Sequence, residues 1–253
     1  MTGGFRLPPV IGHRGAAAVA PENTLAGFAR AAQLGVAWVE IDARLTADGR
    51  CVVFHDETLE RIAGVPSRVD DVTLSVLSGL DAGVWFDPVF AGQRVPTLDA
   101  ALVAIGGLGL GVNIELKRCR GGEARLVEEV AGAVSRNWPP HLSPPLISSF
   151  DGPLLARSRD MVPQLPRALI IGRLPGDWRG TAARLVCVAV HCRETQVTAA
   201  RISRIKAAGY AVAAFVVDDP GRARELWDWG IDTAFTDCPG PVLAAWRAGA
   251  GAS

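Results

Sequence analysis

The chain has 253 residues, a length that one large barrel or two ordinary domains could fill. Lys and Arg total 26 against 26 Asp and Glu, so the formal net charge is zero and no long-range field steers the chain onto nucleic acid or an anionic membrane. At 49% hydrophobic and 21% charged, the sequence is too apolar for disorder and can bury a substantial core.

Residues 1–9 hold one arginine and no apolar stretch of signal-peptide length, and no run nears the 18 apolar residues of a membrane span. Five cysteines, an odd number, form no C-x-x-C pair and no metal-finger spacing, which reads as reduced thiols in a cytoplasmic protein without membrane insertion. Short apolar runs then alternate with helical patterns almost to the end. Strands are expected at 10–15, 38–42, 111–117, 145–150, 168–172, 187–191, 212–217 and 232–236. The first is followed by a helical stripe of Leu25, Phe28, Ala29 and Ala32, with Asn23 as its N-cap and Gly35 as its stop. Further helices are expected at 122–137, 182–185, 198–208 and 220–229. Eight strand–helix units at this length predict a (β/α)8 barrel of the α/β class, a single domain over 1–253 with a fraying tail from about residue 244.

One run breaks the rhythm. Residues 51–55 follow the second strand across Asp48-Gly49, a hairpin signal. A two-residue loop there sets 44 opposite 53 and His55 directly beside Asp42. The stretch 57–96, weakly periodic and rich in Pro and Gly, is too long for an ordinary loop and reads as a small insertion over the barrel mouth.

Reactive residues gather at predicted strand ends, on the face where barrel enzymes build their sites. Glu40 and Asp42 lie two apart on one strand and so share a face, as do Glu115 and Lys117 on another. A Glu-x-Asp pattern alone is more often a structural ion-pair network, here with Arg14, Arg44 or Lys117. Three converging carboxylates without a thiolate suit Mg2+ or Ca2+ better than Zn2+. Two of four histidines, His13 and His55, sit at strand ends beside them and could serve as the acid and base of phosphodiester hydrolysis. Arg14 and Lys117 are the anion clamps. Trp85, Phe86, Phe150 and Phe215 could wall a pocket, and His191 is a further pocket candidate.

These residues in this order resemble the glycerophosphodiester phosphodiesterases, most closely the cytosolic bacterial members, over nearly the whole chain. The resemblance rests on Gly12-His13-Arg14-Gly15, Pro21-Glu22-Asn23-Thr24, Val39-Glu40-Ile41-Asp42, Thr46-x-Asp48-Gly49, His55-Asp56 and Leu59-x-Arg61. It continues through Val95-Pro96-Thr97-Leu98, Ile114-Glu115-Leu116-Lys117, Ser149-Phe150 and Thr236-Asp237-x-Pro239. It implies a TIM barrel with an inserted cap and one divalent cation, Mg2+ or Ca2+, on Glu40, Asp42 and Glu115. It implies His13 and His55 as the acid–base pair, Arg14 and Lys117 on the phosphate, and Phe150 against the glycerol. The activity implied is hydrolysis of small-molecule diesters such as glycerophosphocholine and glycerophosphoethanolamine to sn-glycerol 3-phosphate and an alcohol. The family pattern aromatic-Thr-Val-Asn reads Phe215-Val216-Val217-Asp218 here, a departure that bears on which alcohol is accepted. The alternatives are a silent glycerophosphodiester sensor, which loss of a histidine would have favoured, and a related lipid phosphodiesterase, which a neutral chain does not suggest. The sequence sets no oligomeric state.

Overall fold

The computed structural model describes residues 5–172 and 176–250. Nine strands occur among them: β1 (Val10–Gly12), β2 (Trp38–Leu45), β3 (Cys51–Val53), β4 (Gly111–Leu116), β5 (Leu146–Ser149), β6 (Arg167–Ile171), β7 (Ala189–Arg193), β8 (Ala211–Phe215) and β9 (Thr233–Thr236). All but β3 pair in parallel, in the order β1-β9-β8-β7-β6-β5-β4-β2, and β1 pairs with β2 to close an eight-stranded TIM barrel. Helices α1 (Leu25–Gln33), α2 (Glu60–Ala63), α3 (Leu74–Ser78), α4 (Leu98–Gly107), α5 (Glu123–Asn137), α6 (Gly152–Met161), α7 (Trp178–Arg184), α8 (Ala199–Ala207), α9 (Pro220–Asp228) and α10 (Pro239–Ala250) complete the regular structure. All except α2 and α3 follow barrel strands. Among the described residues no helix is long and apolar enough to cross a membrane, and the five cysteines are free.

Alternation along β2 sorts its side chains into two layers. Val39, Ile41 and Ala43 join Ile114, Leu102 and Leu126 in the shell beneath the helices. Trp38 points inward, where it packs with Ile11, Leu146, Ala168, Ala189, Ala213 and Phe235 to plug the lower barrel. Above that plug the inward positions turn polar, which leaves room for chemistry at the mouth.

Three local expectations are corrected. The α1 N-cap is Thr24, whose hydroxyl accepts from Gly27 N, while Asn23 adopts φ 54° and turns its amide toward β2. The β2–β3 hairpin is one residue out of the expected register: Ala43 faces Val53, Arg44 faces Val52, and Asp42 O accepts from Phe54 N. Its loop is a three-residue turn closed by Thr46 N to Arg50 O, with Gly49 left-handed at φ 69°, and Ala47 N bonds Val72 O in place of facing Arg50. His55 therefore lies beyond the paired region and is not cross-strand to Asp42. Finally, α10 holds the chain helical from Pro239 to Ala250, where fraying was expected from 244; 251–253 lie outside the described residues.

Residues 57–96 contain α2, α3 and two 3-10 turns around a small cluster of their own, in which Leu59, Ile62, Val69, Leu77, Ala82 and Val95 close over Val52 and Phe54.

Candidate active site

Register brings the carboxylates together. β2 and β4 are parallel neighbours with Asp42 beside Glu115 and Glu40 beside Asn113, so all four side chains project from the same sheet face. One oxygen from each of Glu40, Asp42 and Glu115 lies within 4.8 Å of the others. Asp42 Oδ2 accepts from Asn23 Nδ2 at 2.7 Å and lies 3.4 Å from Arg14 Nε. Lys117 Nζ sits 3.0 Å from Asp42 Oδ1 and donates to Glu115 Oε1 at 2.5 Å. Glu40 Oε2 accepts from Arg14 N at 3.0 Å, while its Oε1 is buried with no hydrogen-bond partner among the described residues.

Those three carboxylates face two cations, Arg14 and Lys117, so with all three ionised the cluster would carry excess negative charge. Glu40 shows it: burial, Asp42 and Glu115 push its carboxyl up to about 8. Burial and Asp42 also raise Glu115 against the pull of Lys117. Asp42 goes the other way, because Lys117, Arg14 and the histidines outweigh its burial and hold it well below the usual carboxylate range. An oxygen-only donor set, an orphaned carboxylate oxygen and a surplus of negative charge fit a hard divalent cation.

The β1 turn brings His13 and Arg14 to this cluster. A Cβ on Gly12 would stand 2.1 Å from Gly15 O, so only glycine permits the tight return. Arg14 is left-handed at φ 51°, which aims its N–H at Glu40 and lets its carbonyl accept from Asn23 N at 3.0 Å. His13 Nδ1 pairs with Asp237 Oδ1 at 2.7 Å, and its Nε2 lies 3.9 Å from Glu40. His55 Nδ1 pairs with Asp56 Oδ1 at 2.7 Å. Burial lowers His13 but the Asp237 bond and Glu40 outweigh it, so its pKa is raised; burial, Lys117 and Arg14 together lower that of His55. Two imidazoles with pKa values pushed apart are what an acid and a base require.

Behind them lies a second ring of charge. Glu22 accepts from Arg14 Nη1 and from Arg61, and Arg61 also holds Asp56. Asn23, Asp237 and Asn113, the last bonded to Ser148, likewise support the site. Of these, Glu22, Asp56, Arg61 and Asp237 stand in the sequence as pieces of motifs without a role, and Asn23 only as an expected N-cap. Asn113 carries only the signal of a polar residue alternating with Glu115.

A cleft runs down from Glu40 and Glu115 between Phe215, Ile170 and Phe235 to His191. Phe215 meets Phe150 edge to face at 5.9 Å, and Phe150 is 48% exposed at the mouth. Trp85 does not line this cleft; its ring lies in the inserted segment beneath Arg61, with Nε1 donating to Ala82 O.

The profile of the Glycerophosphoryl diester phosphodiesterase family matches residues 13–241. The chain belongs to that family. It is 33% identical to the glycerophosphodiester phosphodiesterase of Caldanaerobacter subterraneus subsp. tengcongensis, over 95% of this chain and 98% of the other. Among solved structures it superposes with TM-score 0.93 on an Oleispira antarctica phosphodiesterase in complex with its product sn-glycerol-3-phosphate, at 36% identity over 95% and 97% of the two chains. A glycerophosphodiester phosphodiesterase from Agrobacterium tumefaciens matches at TM-score 0.77 and 30% identity, over 94% and 100%. This family member is thus an enzyme. Its departure near β8 is partly explained: Asp218 Oδ1 accepts from Thr236 Oγ1 and Asp237 N, an acceptor role that Asn would fill equally.

Proposed function

We propose that the protein hydrolyses glycerophosphodiesters, such as glycerophosphocholine and glycerophosphoethanolamine, to sn-glycerol 3-phosphate and the free alcohol. Glu40, Asp42 and Glu115 would hold one divalent cation, Mg2+ or Ca2+. The observation that carries this reading is a three-carboxylate cluster beside two imidazoles, each anchored through Nδ1 by its own carboxylate. A cation held there would supply Lewis-acid stabilisation of the negative charge that develops on the phosphoryl group.

Arg14 and Lys117 supply the remaining positive charge for a monoanionic diester. With Asp237 and Asp56 accepting from Nδ1–H, the Nε2 atoms of His13 and His55 stay available to take the nucleophile's proton and to return one to the leaving alkoxide. The nucleophile is the substrate's own neighbouring glycerol hydroxyl, because an intramolecular attack gains effective molarity over free water. It expels the alcohol and leaves a cyclic phosphate, and water then adds to phosphorus and breaks one ring P–O bond to give sn-glycerol 3-phosphate. Phe150 and Phe215 cover the glycerol end of the cleft. The protein works in the cytoplasm as one catalytic domain, with 57–96 as a cap.

A coupled assay for sn-glycerol 3-phosphate across a panel of glycerophosphodiesters, with Mg2+, Mn2+ and Ca2+ in turn, tests this reading. Turnover that requires the cation is expected. Binding of the diesters without turnover would show a sensor instead.

A further inference from the structure

We infer that Arg61 is a positioning residue through which the inserted segment sets the orientation of both His55 and Arg14, an assignment that rests on the function proposed above. Arg61 uses all three guanidinium nitrogens. Nε donates to Asp56 Oδ2 at 2.7 Å, while the other oxygen of that carboxylate takes His55 Nδ1–H at 2.7 Å. Nη1 and Nη2 grip Glu22 in bidentate fashion at 2.8 Å each, and Glu22 Oε1 also accepts from Arg14 Nη1 at 2.8 Å. One planar group thus fixes the rotation of two carboxylates, each of which in turn fixes a group facing the phosphate.

Its own position is fixed from the cap. Arg61 lies on α2 between Leu59 and Ile62, both in the inserted cluster, and its face stacks 5.4 Å from the Trp85 ring. The Arg61 side chain is 41% exposed, where ion pairs add little to stability. What its three charge-assisted contacts provide at such a place is geometry. Without Arg61, Asp56 is free to rotate about its own side-chain bonds, and the His55 ring loses a fixed acceptor. Glu22 would keep only Arg14, and the Arg14 fork would lose its anchor to the cap. Lysine cannot replace it, because one ammonium does not span both carboxylates in a fixed plane.

The test compares wild type, Arg61→Gln, Arg61→Lys, Asp56→Asn and the Arg61→Gln/Asp56→Asn double variant, all with Mg2+ present. Two readouts are taken: steady-state kinetics on glycerophosphocholine, and nitrogen NMR of the histidine rings at about pH 8, above the ordinary imidazole pKa. Arg61→Gln is expected to lower kcat about tenfold or more, through His55, and to raise KM severalfold, through Arg14. In the Asp56→Asn background the same change should lower kcat less than about twofold, because the link is already broken. The His55 signals should pass from one Nδ1–H tautomer to a mixture, with Arg61→Lys in between. Kinetics within about twofold of wild type, equal losses in both backgrounds, or an unchanged His55 tautomer would each overturn the assignment. Should Arg61→Gln fail to fold, Arg61→Lys carries the same comparisons. If the wild type turns over no glycerophosphodiester, the functional reading fails while the NMR comparison still decides the role of Arg61.

Discussion

Asp237 on His13 and Asp56 on His55 leave Nε2 as the nitrogen available for chemistry in each ring. If the pair is the acid and base, His13→Ala and His55→Ala each lower kcat by about 10²–10⁴-fold with little change in Tm; a His13→Ala enzyme with the wild-type rate would refute the assignment. Asp237→Asn should lower kcat at least about tenfold, since the amide can present a donor to Nδ1 and favour the wrong tautomer. His191 behaves differently. It is fully buried at the cleft floor, 4.9 Å from the Phe235 ring, and burial pushes its pKa down to about 3. Because that value is below the unfolded one of about 6.5, the unfolded chain binds the extra proton first, and stability is full above pH 6.5 and falls as pH drops toward 3. Urea unfolding at pH 7 and pH 5 should show wild type losing roughly 2 kcal/mol more than His191→Leu over that interval. Equal losses would mean that another group sets the acid limit. The residues of the candidate site were legible in the sequence because each sits in a recognisable motif on or just after a strand. Their partners were not: His13 and Asp237 are 224 positions apart and meet only because β9 closes against β1.

Barrel strands were readable as elements because buried parallel strands are short apolar runs between helical patterns. Boundaries moved where a turn outcompeted the pattern. β7 begins at Ala189, two residues later than expected, because Cys187 N is spent on Ala182 O and Val186 takes a left-handed φ of 52°. The hairpin register was missed for a tertiary reason, the bond from Ala47 N to Val72 O in the inserted segment, which lengthens the loop by one residue. That segment resisted reading because its apolar residues follow no helical or strand period; they face a cluster assembled from short turns. Gly49 holds the loop. A Cβ there would meet only Arg125 atoms at 3.6 Å or more, so the cost of Gly49→Ala is that of a left-handed alanine, about 1 kcal/mol by urea unfolding. A neutral substitution would mean that the turn relaxes to another form.

Across the whole molecule charge sums to zero, yet at the barrel mouth three carboxylates, if all are ionised, outnumber Arg14 and Lys117. A net-neutral chain has no long-range attraction for a phosphodiester, so the positive potential that binds the substrate must be local, and a divalent cation added to the cluster reverses its sign. The same imbalance predicts a stability effect that is independent of turnover. A cation that binds only the folded chain contributes RT ln(1 + [L]/Kd), about 2.7 kcal/mol at 100 times its Kd. For a chain of this size that corresponds to a rise in Tm of roughly 5–10 °C, reversed by chelation. Glu40→Gln leaves two carboxylates facing two cations. It should therefore raise the Tm of the metal-free protein, because the burial and repulsion that push Glu40 up to about 8 are removed, and should shrink the cation-induced rise. Thermal melts of both proteins across a Mg2+ and a Ca2+ titration read the two effects at once. A cation-induced rise of the same size in Glu40→Gln as in wild type would place the ion elsewhere and remove Glu40 from its ligands.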